Sequence, residues 1–304
     1  MPVSLDLPKD RLNIIKLSDW LEINALLDRD CSSSIEDLTS ELKVGYESKP
    51  VKDIPTDVSS ELRRRVQKVG NAYPFSFNGR LISVKDAESY KDQWAYLFCL
   101  LVSYIGLDRG AKELKVWKVR DMTKVFEGIC TLVARKFLSS DKTEASSLQF
   151  GFPRSTWKRE HRSFKKALDF LRAEICEGSV KINPTANGRK DAGLDVIAWR
   201  AFPDKRMSKL FLLGQCAAGT DVRKKKRELK EFFQYYTLEV GIICSFFMPH
   251  EVDDTDWFDF YTPDVGIAFD RSRISFYAQE WDGTGFEGQL QTILNRLRAY
   301  RKAL

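Results

Sequence analysis

Histidine is scarce in this chain of 304 residues: only His161 and His250 occur, both among polar or charged neighbours. A Ser/His or Cys/His catalytic system needs an imidazole beside its nucleophile, so that class of mechanism is disfavoured. No CxxC pair is present, and the six cysteines, Cys31, Cys99, Cys130, Cys176, Cys216 and Cys244, are widely spaced in mostly apolar sequence. That spacing argues against a structural zinc site and suits buried free thiols in a reducing compartment. Phosphate-cradling glycine loops are missing as well. There is no GxxxxGK[ST] and no GxGxxG after a strand, so the chain reads neither as an NTPase nor as a dinucleotide enzyme. The longest apolar run, 95–105, falls short of the ~20 residues needed to span a bilayer. The first residues, MPVSLDLPKDRLN, lack the apolar centre of a signal peptide. A cytoplasmic protein without membrane association is expected.

Hydrophobic residues make up 43% and charged residues 30%, the balance of a folded globular protein rather than a disordered one. The net charge of +6 does not by itself indicate nucleic-acid binding, but its distribution matters. Residues 223–230 (RKKKRELK) carry six cations and one acid. A second basic group, Arg154, Lys158, Arg159, Arg162, Lys165 and Lys166, is interleaved with Phe152 and Trp157. The first reads either as a solvated helix face or as a nucleic-acid contact, and the second either as an amphipathic helix whose aromatics are core or as a nucleic-acid contact. The acidic loop 251–260 lacks the spacing of an EF-hand and suits a solvated loop or a partner contact.

Residues 1–115 read as a mainly helical N-terminal domain, with helices over 18–27, 35–43 and 59–69. Ser33-Ser34-Ile35-Glu36 suggests a capping box, Gly70-Asn71 a helix stop, and Asn78-Gly79 a hairpin turn. Residues 44–57 read as a loop, and the charged stretch 107–121 as the domain boundary. Beyond it, 123–137 reads as a helix with Val125, Phe126, Ile129, Val133 and Phe137 at helical spacing. Glu127 lies beside that stripe, as a surface residue or a site residue. A helix is expected at 163–175 and at 287–304, and strands at 238–248 and 265–276.

The densest signal lies at 190–218. Leu194-Asp195-Val196-Ile197-Ala198-Trp199 and Leu210-Phe211-Leu212-Leu213-Gly214-Gln215-Cys216 read as two apolar strands joined by the turn residues 203–206. A hairpin centred near 205 sets Asp195 across from Gln215. A charged acid in such a strand needs a partner, and a metal ion is one candidate.

Gly193-Leu194-Asp195 followed by an apolar strand, with Gln215 on the next, resembles the core of the PD-(D/E)XK nuclease superfamily. The resemblance covers roughly 120–235. It implies an α/β restriction-endonuclease-like fold, with a mixed sheet flanked by helices over 116–304 and an insertion at about 139–190. It also implies a Mg²⁺- or Mn²⁺-dependent endonuclease acting on DNA in prokaryotic restriction or antiviral defence. Glu127, Asp195 and Gln215 would hold the metal, with Glu127 arriving on the preceding helix. The family places a lysine two residues after the second motif, where this chain has Ala217. The lysine would then come from the following helix, with Lys225 chosen and Lys224 or Lys226 open. Arg154, Lys158, Arg159, Arg223, Lys224 and Lys226 would contact DNA. A separate helicase or ATPase subunit is a further implied partner. Without the lysine at 217, a degenerate module that binds DNA or protein is the alternative.

Overall fold

The structure is a computed structural model that describes residues 7–8, 13–43, 53–85, 90, 92–105, 119–181, 189–204, 206–219, 229–253 and 266–302. In chain order its elements begin with α1 (Ile14–Leu27), β1 (Ser32–Ser34), α2 (Ile35–Lys43), α3 (Ile54–Val69), β2 (Phe75–Phe77), β3 (Leu81–Val84), α4 (Trp94–Ile105) and α5 (Val119–Leu138). They continue with β4 (Ser146–Gln149), α6 (Phe164–Ile175), β5 (Ser179–Val180), β6 (Val196–Arg200), β7 (Leu210–Cys216) and α7 (Leu229–Phe232). The last are β8 (Tyr236–Thr237), β9 (Ile242–Phe247), β10 (Ile267–Phe269), α8 (Arg271–Tyr277) and α9 (Glu287–Lys302). They pack as two compact units. Unit 1 comprises Met1–Val125, Pro249–Asp253 and Asp270–Leu304, and unit 2 comprises Phe126–Met248 and Asp254–Phe269. The segment 116–304 expected as one domain is thus shared between them. The charged stretch 107–121 lies outside the described residues up to 118. Among the described residues, no helix is long and apolar enough to cross a membrane.

Unit 1 is held together by its own local rules and by a buried charge network. Asn13 caps α1 by accepting from the Lys16 N–H at 3.0 Å. The capping box of α2 is reciprocal between Ser34 and Asp37, one residue later than expected. Ser33 is committed to β1, where it pairs with Ile82, so the chain turns helical only after Ser34. Helix α3 opens with Pro55 in its first turn, so the end of the loop expected over 44–57 is helical. Its other end stops at Gly70, whose φ of +60 is the left-handed region. The hairpin of β2 and β3 turns at Asn78, whose side chain accepts from the Arg80 and Leu81 N–H groups.

In α1 every side chain from Leu17 to Leu27 is buried, including Asp19 and Glu22. Burial of a carboxylate demands compensation. Arg65 of α3 donates to Asp19 and Glu22 at 2.8 Å and to Glu61 at 2.8 Å. Arg271 of α8 grips Asp19 with two bonds of 2.7 and 2.8 Å. The hydroxyls of Tyr73 and Tyr96 donate to Glu22. Burial works to raise the Asp19 carboxyl, but Arg271 and Arg65 outweigh it and hold it below the ordinary range. Arg298 of α9 adds bonds to the carbonyls of Leu26 and Leu27. These bonds are why the C-terminal helices belong with the N-terminal ones.

Residues 265–276 are not one strand. Only Ile267–Phe269 is, and Asp270 then caps α8 by accepting from the Arg273 N–H at 3.0 Å. The other Asp270 carboxyl oxygen has no hydrogen-bond partner among the described residues. Burial, and next the Glu251 carboxylate, push the Asp270 pKa up to about 7 from 3.8, against the opposing pull of Lys68 and Arg273. The fold therefore favours the protonated form. The stability this contributes is fully present below pH 3.8 and is lost as pH rises through about 7. Asp270→Asn keeps a cap acceptor without the charge. Above neutral pH it is expected to melt several degrees higher than wild type, with the difference shrinking towards pH 4. Melting curves of the two proteins across that range would check this, and parallel pH profiles would refute it.

Unit 2 is a mixed five-stranded sheet flanked by helices, in the order β10-β9-β7-β6-β4. Strands β4, β6 and β7 run antiparallel, whereas β7, β9 and β10 run parallel. One face, with Ile197, Trp199, Phe211 and Leu213, packs in a core with Phe164, Leu168 and Leu171 of α6 and Phe232 of α7. Each such side chain contributes roughly 1.5–3 kcal/mol by leaving water. On the alternate set of positions, Cys216 meets Cys130 of α5. The supposed insertion at 139–190 is not separate from the sheet. Its residues 146–149 form the edge strand β4, paired with β6 from Ser146↔Trp199 to Gln149↔Val196. Ser-Ser-Leu-Gln is short and polar, as edge strands often are, and so gives no strand signal.

Candidate active site

The β6–β7 register pairs Val196 with Gly214 and continues to Arg200 with Leu210, placing the hairpin centre where the alternation requires. One residue before β6, Asp195 is fastened to both neighbouring strands. Its N–H donates to the Gly214 carbonyl at 3.0 Å, and its carbonyl accepts from the Phe150 and Gly151 N–H groups at 2.7 and 3.0 Å. Its side chain is fixed too: Oδ2 accepts from the Cys216 N–H at 2.7 Å. A carboxylate oxygen bound by a backbone donor has one orientation, which leaves Oδ1 directed by the fold.

What Oδ1 faces is revealed at Gly151, just after β4. A Cβ on Gly151 would lie 2.9 Å from Asp195 Oδ1 and 2.7 Å from Glu127 Oε2. The two carboxylates therefore converge on one small space that exists because residue 151 has no side chain. Glu127 is not a solvated surface residue; it is 3% exposed, on the inner side of α5. Its Oε2 also accepts from Gln149 Nε2 at 3.1 Å. Gln215 lies in β7 beside the Asp195 anchor and is 3% exposed. Glu127, Asp195 and Gln215 thus arrive from a helix, a strand start and the next strand. Gln149 and Gly151 were not singled out in the sequence. The only hint is a polar residue and a glycine flanking Phe150, and it has no meaning until β4 is placed against β6.

No family model, curated protein or solved structure matches the chain. The chemistry must come from the site's own atoms. Cys130 and Cys216 lie beneath the carboxylates. Burial pushes both thiols up, Cys216 well above its ordinary value, and the Asp195 and Glu127 charges add to the effect. Without a metal both thiols are held protonated, and protonated thiols are poor nucleophiles. Among the described residues no group of three or more His, Cys, Asp or Glu gathers as a metal cluster. The donors present are two carboxylates with a neighbouring carboxamide. All offer oxygen, the donor that suits Mg²⁺ or Mn²⁺.

The remaining sequence candidates separate. Lys158 and Arg159 are exposed beside the site loop. Arg154 is not with them: it is 3% exposed, donates to the Arg162 and Lys190 carbonyls, and lies 4.3 Å from the Phe150 ring centre. Burial lowers its pKa to about 10, opposed by Asp191 and Glu127. Its visible work is to tie the 152–162 loop to Lys190, which removes it from an exposed DNA-contact cluster. His161 stacks on Phe170, with ring centres 4.7 Å apart. Arg223, Lys224, Lys225 and Lys226 lie outside the described residues.

Proposed function

We propose that this protein is a metal-dependent nuclease that hydrolyses DNA phosphodiester bonds, with a PD-(D/E)XK-like centre in unit 2. The observation that carries the reading is the convergence of Glu127 Oε2 and Asp195 Oδ1 at Gly151, with the second Asp195 oxygen pinned to the Cys216 N–H. Helix, strand and strand supply Glu127, Asp195 and Gln215 in the order the resemblance implies. Asp195 and Glu127 would hold Mg²⁺ or Mn²⁺, with Gln215 as a neutral oxygen donor. A bound divalent ion lowers the pKa of water and neutralises charge on the scissile phosphate. Asp195 contributes a fixed charge that needs no reorganisation during reaction. Gly151 leaves room for that chemistry. Lys225 is proposed for the cationic role that orients the nucleophile. Restriction or antiviral defence, and activation by a helicase or ATPase partner, belong to the same proposal.

A second reading has its own observation. Ala217, two residues after Gln215, is 1% exposed, so the position given to the family's lysine is filled by a buried methyl group. A module that kept the fold and lost catalysis would still bind DNA or a protein.

The deciding experiment incubates purified protein with supercoiled plasmid, linear duplex and single-stranded DNA, with Mg²⁺ or Mn²⁺, alongside Asp195→Ala. Cleavage that requires metal and falls roughly a thousandfold or more in the variant supports the nuclease. Equal cleavage in both proteins removes Asp195 from the mechanism. Binding without cleavage, identical in both, favours the second reading.

A further inference from the structure

Phe152 follows directly on the glycine at which the carboxylates meet, yet it is 45% exposed. Its neighbours in sequence behave differently: Phe150 is fully buried, and Trp157 packs against it edge to face. Phe152 is also positioned rather than loose. Its N–H donates to Asp191 Oδ2 at 3.1 Å, which ties it to the stretch leading into Asp195. The exposed Lys190 places its ammonium 5.9 Å from the ring centre. Among the described residues of unit 2, the other large exposed apolar side chains, Phe202 and Met207, lie in the β6–β7 connection, at the far end of the hairpin from Asp195. Among the described residues, one exposed aromatic ring, with a cation beside it, therefore borders the carboxylate pair.

An aromatic ring held in water at the mouth of a phosphodiester site has one chemically natural partner, the face of a nucleobase. Bases inside a duplex already stack on each other, so a base free to use this ring is unpaired. We infer that Phe152 is a stacking platform for a base of single-stranded nucleic acid, with Lys190 meeting the adjacent phosphate. The inference rests on the nuclease reading and adds its substrate class: a strand that is single, locally melted or frayed at the position next to cleavage.

The test separates the two. Binding of a labelled oligothymidylate and of a labelled duplex is measured by anisotropy without divalent metal, for wild type, Phe152→Ala, Phe152→Trp and Asp195→Ala. Base stacking predicts a loss of roughly tenfold or more in single-strand affinity for Phe152→Ala. Phe152→Trp retains or improves that affinity, and duplex affinity stays within about twofold of wild type. Because Phe152 is exposed, unchanged melting curves for both variants are expected. Wild-type single-strand affinity in Phe152→Ala overturns the inference, as does failure of wild type to bind the oligonucleotide. A Phe152 effect in a protein that never cleaves leaves stacking in place and removes the nuclease. Metal-dependent cleavage with no Phe152 effect does the reverse.

Discussion

Arg65→Met is expected to destabilise unit 1 by roughly 3–5 kcal/mol, because it leaves buried carboxylates without their cation. Arg65 is fully buried and bonds Asp19, Glu22 and Glu61 at once. Methionine fills much of the volume and supplies none of the charge. Arg271 still holds Asp19, but its Nη1 is 3.7 Å from Glu22, a weaker contact than the 2.8 Å bond from Arg65. Urea unfolding followed by tryptophan fluorescence reads the loss, with Trp20 and Trp94 both in unit 1. Adding Glu22→Gln should return part of it, since one carboxylate fewer then needs compensation. A loss below about 1 kcal/mol would mean that the network is solvated or readily neutralised by protonation.

On the nuclease proposal, Gly151→Ala is expected to reduce metal-dependent cleavage by about a hundredfold or more while leaving unit 2 folded. The new methyl would stand 2.7 Å from Glu127 Oε2 and 2.9 Å from Asp195 Oδ1, closer than Cβ atoms are found. Asp195 is anchored through Oδ2, so relief comes chiefly by moving Oδ1 or Glu127. Displacement on the order of an ångström is enough to spoil a reactive geometry. Side-chain ends give way more cheaply than backbone, which is why the fold should survive. Plasmid cleavage read beside circular dichroism checks both halves. Full activity in the variant would mean that the shared space at Gly151 is not where the substrate reacts.

The hairpin was legible because strands repeat every two residues and the turn residues 203–206 fix its centre. Glu127 was legible as the neighbour of an apolar helical stripe, though its burial was not. What sequence could not reveal is what two distant segments create together. Gly151 matters only because it faces Asp195 and Glu127, and β4 has no apolar alternation to show that it is a strand. Arg65 lies in the run Arg63-Arg64-Arg65, in which nothing local sets it apart from its neighbours. Its burial follows from α1, whose Asp19 and Glu22 sit in a helix apolar on all sides, the one local sign that buried cations were required. Asp270 illustrates a boundary error: a cap bond to the N–H three residues later ends the strand pattern and starts a helix.

The network joining Asp19 to Arg271 also sets an order for how the protein can be made. The two residues are 252 apart in sequence, and the contact from Arg298 to the Leu26 carbonyl spans 272. A growing chain releases α1 and then Arg65 from the ribosome long before it has translated Arg271, the second arginine that holds Asp19. Phe126–Met248, most of unit 2, emerges as one continuous stretch in between. The first helix synthesised is thus among the last to reach its final surroundings, and Asp19 waits for its two-bonded arginine until translation is nearly finished.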